Sequence, residues 1–390
     1  MAEAALQQDV IEPDLKFIRA VNKRSGGMLK QCMQCATCSV VCAQAPDDRP
    51  FPRKEMIWAQ WGLKKRLVSD PDVWLCDQCN DCSQQCPRGA KPGDVMAAIR
   101  GEAVAHYATP QFLGRALSDP KFLPLLLGIP VLLFGTLVGA GLIALPKGEI
   151  VFEEFLPHWL IYAVFVPLTV FITVTALAGV LRFWRDTGAT VPSAADLGEG
   201  THKKQGSLAS SAIGAAVEIL AHSRFKDCEQ TRARYVAHFL IFYGFMALLI
   251  ATGLVVVAMY GFGTKLPLGF WHPIKVLGNL GAVALVVGLV IAIYTRLSQT
   301  EKGGRGTYFD WLLVVMLAAV GLTGVATETG RLMEAATFAY TVYFVHIVLV
   351  FFLLTYFAHS KFAHVLYRTA ALVRAKSIDR FGDRETGSPT

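Results

Sequence analysis

Apolar positions follow two different patterns on either side of about Ser118. Before that residue, apolar and charged positions are mixed, as in a soluble domain. After it come six uncharged apolar runs, each near the roughly 20 residues that a helix needs to cross hydrocarbon. We predict six membrane spans, at residues 122–145, 159–181, 235–262, 276–294, 311–327 and 335–360.

Basic residues cluster in the segments that follow the second, fourth and sixth spans, whereas the opposite loops hold few of them. By the positive-inside rule, the amino-terminal head and both termini are predicted on the cytoplasmic side of the cell inner membrane. The beginning of the chain lacks a basic region followed by an apolar one, so no signal peptide is expected.

Composition supports the same division. The chain is 53% hydrophobic and only 17% charged, which is too apolar for an ordinary soluble protein. Its net charge of +7 is carried largely by residues that flank apolar runs. Membrane topology and anionic lipid therefore explain the charge better than nucleic acid does.

Five segments are predicted. They are an iron–sulfur head (1–117), two membrane helices (118–183), a cytoplasmic connection (184–234), a haem b membrane domain (235–368) and a cytoplasmic tail (369–390). Helices are expected at 6–20, 53–67 and 93–106 in the head, and an amphipathic helix at 213–225 on the membrane surface. The amphipathic helix could serve as a plain connector or as a partner platform, and Cys228 beside it is expected to be an ordinary thiol.

Eight cysteines form a duplicated C-x2-C-x2-C-x3-C motif. Two-residue spacers let thiolates face one small body, and each motif is therefore typical of a [4Fe–4S] cluster. In two-cluster proteins the fourth cysteine of a motif ligates the other cluster. We assign one cluster to Cys32, Cys35, Cys38 and Cys86, and the other to Cys76, Cys79, Cys82 and Cys42.

Zinc or a disulfide framework is the alternative use of these cysteines. Zinc sites usually separate their cysteines into pairs, which this spacing does not. Ala43 stands where bacterial ferredoxins have proline, but no ligand is lost. The helix predicted between the motifs favours an all-α fold, with an α-helical two-[4Fe–4S] ferredoxin-like head followed by a six-span helical bundle of cytochrome b type.

Histidines in apolar segments are costly and usually functional. His346 and His364 are separated by 18 residues, about five helical turns, so one continuous helix would place both on the same face, roughly 27 Å apart. That separation is near one hydrocarbon thickness and predicts two stacked, non-covalent b haems, one near each surface. His359 is out of phase with His346 by about 220° and is interpreted as an interfacial residue.

Each haem needs a second imidazole at matching depth. His238, at the cytoplasmic start of the third span, is predicted to pair with His364. His272 is predicted to pair with His346, with His158 as the other exterior histidine. The alternative is that these histidines only anchor helix ends at the interface.

The doubled motif resembles HdrC, the iron–sulfur component of heterodisulfide reductase. Residues 234–368 resemble HdrE, the haem b component of that enzyme, and the gamma component of respiratory nitrate reductase. With stretches 238–245 and 360–368, the fusion resembles the QmoC family, the membrane subunits of quinone-interacting membrane-bound oxidoreductases. The gamma family has a second histidine about three turns after the first on one span, and here Leu248 takes that position.

This resemblance implies electron exchange between menaquinone and cytoplasmic flavin and iron–sulfur proteins like QmoA and QmoB. Those proteins serve adenylylsulfate reductase in dissimilatory sulfur metabolism. The chain would then be the electron-transfer subunit of a membrane-bound quinone-interacting oxidoreductase.

Charged residues toward the exterior end are candidates for a quinone site, although loop charges are often simply solvated: Lys265, His272, Glu328 and Arg331. Two other functions stay open. One is a membrane anchor that docks a soluble reductase without a quinone site of its own, and the other is a conduit to an exterior cytochrome.

Overall fold

The computed structural model describes residues 12–46, 50–146, 148–190, 207–224, 232–298 and 306–379. The chain is 77% helical, and no strand occurs among these residues, which confirms the all-α class. The head helices are α1 Leu15–Arg24, α2 Thr37–Val40, α3 Arg53–Gln60, α4 Lys64–Ser69, α5 Asp72–Leu75, α6 Asp81–Gln84, α7 Pro92–Tyr107 and α8 Gln111–Leu117. The later helices are α9 Leu123–Gly139, α10 Phe152–Phe155, α11 His158–Thr190, α12 Leu208–Ala221, α13 Arg232–Phe262, α14 Pro273–Ser298, α15 Tyr308–Leu332, α16 Ala336–Thr355 and α17 His364–Ser377.

The head is built around α7, which is buried along nearly its whole length. This confirms the helix predicted at 93–106. The helix predicted at 53–67 is wrong as a single element, because Gly62 adopts a left-handed conformation (φ +71°) between α3 and α4. A Cβ at Gly62 would lie 2.8 Å from the backbone nitrogen of Asp14, so the chain turns there against the start of α1. Residues 6–11 of the helix predicted at 6–20 lie outside the described residues, and α1 covers Leu15–Arg24.

Six helices in the described part of the chain are long and apolar enough to cross a membrane, and the chain is a multi-pass membrane protein. This confirms the number of predicted spans. The first span ends at Gly139 rather than at residue 145, and the sixth ends at Thr355 rather than at residue 360.

The end of the sixth span changes the reading of the histidines. After Thr355 come two short 3-10 turns, Phe357–His359 and Lys361–Ala363, and α17 then begins at His364. Ser360 between the turns is extended, and its hydroxyl accepts a hydrogen bond from the backbone nitrogen of Phe362 at 3.1 Å.

His346 and His364 therefore lie on different helices, and the expectation that five continuous turns align them is wrong. His346 also lies near the middle of α16, about 14 Å from either end at 1.5 Å per residue, and not near the exterior surface.

Close packing of α13 on α14 fixes the position of the segment that carries His238. A Cβ at Gly288 would lie 2.8 Å from the carbonyl oxygen of Ala237, and one at Gly244 would lie 2.6 Å from the nitrogen of Leu285. Small residues let two membrane helices approach in this way. The face of α13 that carries Ala237 is therefore held against α14. His238 is the next residue along the same helix.

The head and the membrane helices share one hydrophobic core. Trp74 and Tyr107 of the head lie with their ring centroids 5.1 and 5.9 Å from that of Tyr367 on α17. Phe183 on α11 lies 5.5 Å from Tyr107, and Phe309 on α15 belongs to the same cluster. The predicted limit at 117 coincides with the end of α8, whereas the limit at 368 falls inside α17.

The predicted amphipathic helix is present as α12. It buries Ser211 and Ala215 and exposes Ile213 and Val217. Glu218 forms ion pairs with Arg224 and, at 3.0 Å, with Lys376 of α17. Phe225 and Cys228 lie outside the described residues, and the position of α12 on a membrane surface stays a prediction.

Candidate metal centres

The two cysteine motifs fold alike. Gln34 and Ala36 in the first motif, and Gln78 and Asn80 in the second, have positive φ angles between 55° and 72°. Such angles are strained for residues other than glycine and persist where the surroundings require them. Each loop thereby turns around its own thiols, and the short helix α2 or α6 starts directly after it.

The thiols come together in two sets of four. One cavity is lined by Cys32, Cys35, Cys38 and Cys86, together with Arg53 and Arg88. In the second set, Cys82 interacts electrostatically with Cys76, Cys79 and Cys42. Each set takes its fourth thiol from the other motif, as the crossed assignment predicts, although ligation itself stays a prediction.

The chemistry of these thiols fits iron–sulfur clusters. Burial, reinforced by neighbouring thiols, raises the pKa of Cys38 to about 11 and that of Cys42 to about 12. Cys35 is exposed, and a hydrogen bond from the Thr37 hydroxyl lowers its pKa. Four converging thiolates need a positively charged centre to offset desolvation and mutual repulsion, and cluster iron is such a centre.

Different elements hold the two loops. The first loop is held within the head by Gln60, whose Nε2 donates to the carbonyl oxygens of Leu29 (3.1 Å) and Cys32 (2.9 Å). Gln34 in turn donates to Gln60 Oε1 at 3.0 Å. These bonds tie the first loop to other residues of the head.

The second loop is held by the helices that follow the head. Arg234 of α13 donates to the carbonyl oxygens of Gln78 (2.6 Å) and Cys79 (2.9 Å). Lys361 donates to Gln78 Oε1 at 3.2 Å. Arg368 of α17 forms an ion pair with Asp77 of this loop, which completes the connection.

A buried ionic group lies beside the first loop. The Lys54 ammonium is 3.2 Å from Glu55, 2.8 Å from Asp70 and 2.7 Å from Asp72. The three carboxylates are close enough to hold a metal ion, but Lys54 is already bound to all of them. Arg53, next to Lys54, donates its backbone nitrogen to Ser39 Oγ at 3.1 Å, which joins α3 to the first motif.

At the head end of the membrane helices, His238 and His364 interact electrostatically. His364 Nδ1 donates to the carbonyl oxygen of Lys361 at 2.6 Å, so its Nε2 carries the lone pair. Burial, with the charge of Lys361, lowers the pKa of His364 to about 4. A neutral imidazole whose Nδ1 is fixed by a carbonyl oxygen is the form that ligates metals.

His222 fixes the tautomer of His238. A carbonyl oxygen can only accept, so His222 Nδ1 donates to Leu220 O at 3.1 Å and its Nε2 is an acceptor. His238 Nδ1 lies 3.0 Å from that Nε2 and must donate to it. The lone pair of His238 is then on Nε2, as in His364.

Sequence reasoning missed His222. It is the residue after α12, has a left-handed conformation (φ 51°) and is 4% exposed. Its ring lies among the aromatic side chains of Tyr235, Phe239 and Phe242 on α13. No helical periodicity relates it to His238, because it is the packing of α12 on α17 that places it there.

The other predicted haem histidines are not brought together in the same way. His346 Nδ1 is 3.0 Å from Thr323 Oγ1, and the absence of a side chain at Gly324 leaves room for its ring. His272 precedes α14 and accepts a hydrogen bond from the Ile274 nitrogen at 3.3 Å. Because His346 is about 14 Å inside its helix and His272 is at a helix end, the expected match in depth is wrong.

Two further histidines have partners of their own. His158 Nδ1 is 3.4 Å from Glu153 at the start of α11. His359 is fully buried, donates from Nε2 to the carbonyl oxygen of Thr109 at 2.9 Å, and stacks on Phe171. Its burial corrects the expectation of an interfacial residue.

Two of the quinone-site candidates meet on the far side of the bundle. Glu328 is 3.2 Å from Arg331 and 2.6 Å from Lys275 of α14. The lysine that contacts Glu328 is thus Lys275 and not the predicted candidate Lys265, which is exposed. Thr323, the partner of His346, lies about 7.5 Å before Glu328 along α15.

Comparison with known proteins adds two family assignments. Residues 28–90 match a 4Fe-4S dicluster domain, and residues 114–385 match the family described as citrate utilization protein B. The head therefore carries two [4Fe–4S] clusters and transfers electrons. No solved structure matches the chain.

Individual relatives cover both parts. Citrate utilization protein B of Escherichia coli is 26% identical over 321 residues, which is 77% of this chain and 80% of that protein. The HdrC component of the heterodisulfide,ferredoxin reductase of Methanothermobacter marburgensis is 37% identical over 93 residues, 23% of this chain and 49% of the relative. An HdrC-like protein of Archaeoglobus profundus is 31% identical over 103 residues, 26% of this chain and 55% of the relative.

This chain thus spans about half the length of the two HdrC relatives. The resemblance of the head to HdrC is confirmed, and the combination is consistent with a fusion of the QmoC type. On the match over residues 114–385, the chain belongs to the citrate utilization protein B family.

Proposed function

We propose that this chain is the membrane subunit of a quinone-interacting oxidoreductase. It would pass electrons between menaquinone, b haems and two [4Fe–4S] clusters, to or from soluble flavin and iron–sulfur proteins. One observation carries the proposal: the second cysteine loop is bound by the same helices that carry His238 and His364.

The residues that hold the loop bracket the two histidines. Arg234 precedes His238 by four residues, about one turn of α13. Lys361 precedes His364 by three residues, and Arg368 follows it by four. An imidazole-bound group at this position would therefore lie beside the cluster of Cys76, Cys79, Cys82 and Cys42.

Bound clusters and haems supply one-electron carriers, and the protein supplies their ligands, orientation and burial. Within this chain, the Lys361 carbonyl oxygen and His222 hold the proposed ligands His364 and His238 in their metal-binding tautomers. Aromatic rings of α13 exclude water from the same site.

The first cluster would be the port to soluble partners. Cys35 is exposed, Met33 and Val40 beside it are 67% and 84% exposed, and exposed Arg53 and Arg88 line the same cavity. An apolar centre with a basic rim suits a partner with an acidic rim. We assign this port to QmoA-like and QmoB-like proteins, which would serve adenylylsulfate reductase.

The quinone would bind in the far half of the membrane, near Glu328, Arg331 and His272. Glu328 would offer the quinone a charged polar contact, and its two cationic neighbours Lys275 and Arg331 hold its carboxylate in place. Moving each electron from there toward the head would involve about 2.3 kcal/mol per 100 mV of membrane potential.

The match to citrate utilization protein B favours a second identity for the soluble partner. That relative covers 77% of this chain, membrane part included, and its name connects it with citrate utilisation. The same electron path would then serve a soluble redox enzyme of tricarboxylate metabolism. Co-purification of the complex decides between the two, because flavin and iron–sulfur proteins favour the first and a tricarboxylate-oxidising or -reducing enzyme favours the second.

Metal analysis of the purified full chain tests the proposal. We expect about eight iron atoms in clusters, a b-type band in reduced-minus-oxidised spectra, and reduction of the haem by a quinol analogue in the intact complex. His364→Ala should remove the haem that His364 ligates and leave the cluster iron, whereas His158→Ala should retain both that haem and the clusters. A wild-type chain without a b-type band, or a His364→Ala variant with its full haem content, would refute the proposal.

Haem reduction by the quinol analogue separates the remaining functions. A docking anchor would carry clusters but no reducible haem. A conduit to an exterior cytochrome would contain haem that the quinol analogue cannot reduce.

A further inference from the structure

A second cavity lies where the head meets the membrane helices. It stands between α7 of the head, α15 and the start of α17. Its lining consists of Trp74, Ala97, Arg100, Val104, Phe309, Asp310, Lys361 and His364. Arg100 of the head and the proposed haem ligand His364 thus line the same cavity.

Arg100 brings an unsatisfied positive charge to this cavity. Its Nε and Nη2 are buried and have no hydrogen-bond partner within the described structure. Arg100 as a whole is only partly buried, but leaving these two donors without water or a partner is unfavourable. An anionic occupant would remove that cost.

The acidic residue in the lining already has other partners. Asp310 Oδ1 is bound by the Lys361 ammonium, and its Oδ2 accepts hydrogen bonds from the backbone nitrogen and hydroxyl of Thr307. Both oxygens of Asp310 are therefore engaged away from Arg100.

The surroundings add positive charge. Arg100, Arg234 and Arg296 all act electrostatically on Lys361. Arg296 Nη1 is also buried and has no hydrogen-bond partner among the described residues. Arg234 and Arg296 lie outside the lining, but their charges add to the positive potential that an anion would meet there.

We propose that Arg100, at the edge of this small cavity, binds a propionate carboxylate of the haem held by His364. The inference rests on the proposed haem function. Because His364 itself lines the cavity, a group bound to its Nε2 would have its edge there, and a guanidinium fork suits carboxylates. The neighbouring cluster is the weaker candidate, since the lining of this cavity contains no cysteine from the described part of the chain.

The arrangement gives Arg100 a position between two redox sites. It acts electrostatically on Cys76 of the second cysteine loop and on His364. The carboxylate edge of the haem would then point toward the second cluster, and a residue of the head would help to bind a cofactor of the membrane domain.

Reconstitution of the haem-free full chain with two porphyrins tests this site. One is protohaem, and the other is protohaem dimethyl ester, in which both carboxylates are blocked. Arg100→Gln should weaken protohaem binding about tenfold, as loss of a hydrogen bond to a charged group does, and Arg100→Lys should restore part of it. Binding of the ester should be the same in the wild type and in Arg100→Gln, and Arg66→Gln, at an exposed head residue, should change neither.

Three results would overturn the inference. If Arg100→Gln weakens the binding of both porphyrins equally, Arg100 has a structural role only. Unchanged protohaem binding with an altered spectrum of the second cluster would assign Arg100 to that cluster. A wild-type chain that binds no haem would refute both the inference and the proposed function. Haem affinity that is the same in the wild type and in Arg100→Gln would refute the inference alone.

Discussion

The two cysteine loops have the same spacing and the same backbone turns, yet they face different surroundings. The first loop is fastened by Gln60 inside the head and exposes Cys35. The second is fastened by Arg234, Lys361 and Arg368, which belong to later segments of the chain. The motif alone therefore specifies what is bound, whereas the neighbours of each loop decide with which part of the molecule it can exchange electrons.

Removal of one thiol from each set should separate the two roles most strongly. Cys35→Ala and Cys82→Ala should each reduce the iron content by about half, since each cluster holds four irons. In Cys35→Ala the second cluster should still be reduced through the haem, whereas in Cys82→Ala the first cluster should no longer be. Iron analysis and electron paramagnetic resonance after reduction by a quinol analogue measure this, and the same residual reduction in both variants would contradict the comparison.

A matched pair of variants compares the supports of the loops. Arg234→Gln removes a charged donor from the carbonyl oxygens of Gln78 and Cys79, and Gln60→Leu removes a neutral one from Leu29 and Cys32. We expect losses of about 1.5–3 and about 0.5–1.5 kcal/mol in cluster-loaded stability, respectively.

Thermal loss of the visible iron–sulfur absorbance is the measurement for this pair. Arg234→Gln should alter the resonance signal of the second cluster only, and Gln60→Leu that of the first only. Signals that change together would show that the loops are not independently supported.

The buried ionic group beside the first loop predicts a pH dependence. Burial raises the pKa of Glu55 from 4.5 to about 8. The folded state then binds a proton that the unfolded chain releases, so this stabilisation is complete below about pH 4.5 and is lost as the pH rises through about 8. Stability of the head should fall across that range, and Glu55→Gln should flatten the slope without affecting the second cluster. An unchanged slope in thermal melts of the variant would contradict this assignment.

The smallest effect is expected at His222. His222→Phe keeps an aromatic ring in the same place but removes the acceptor for His238 Nδ1. Loss of such a supporting hydrogen bond typically weakens metal binding by roughly 10–100-fold. We expect haem affinity to fall about tenfold here, because the second proposed ligand, His364, is unchanged. Haem affinity and the haem absorption maximum report it, and the first cluster should serve as the unchanged reference.

Much of this architecture could be predicted from the sequence, because its signals are local. Spacing identified the cysteine motifs, and long uncharged runs identified six spans. The end of the sixth helix at Thr355 escaped because Tyr356, Phe357 and Ala358 follow it, so hydropathy continues where the helix does not. His222 and Arg100 escaped for another reason: each acquires its role from a partner more than ten residues away in the chain, and nothing in their local sequence encodes that contact.

The aromatic cluster of Trp74, Tyr107, Phe183 and Tyr367 has a consequence for gene architecture. If the gene were split at about residue 117, each of the two proteins would expose its half of this aromatic cluster. Only reassembly of the two proteins would bury that hydrophobic surface again. Fusion into one polypeptide turns that assembly step into ordinary intramolecular folding.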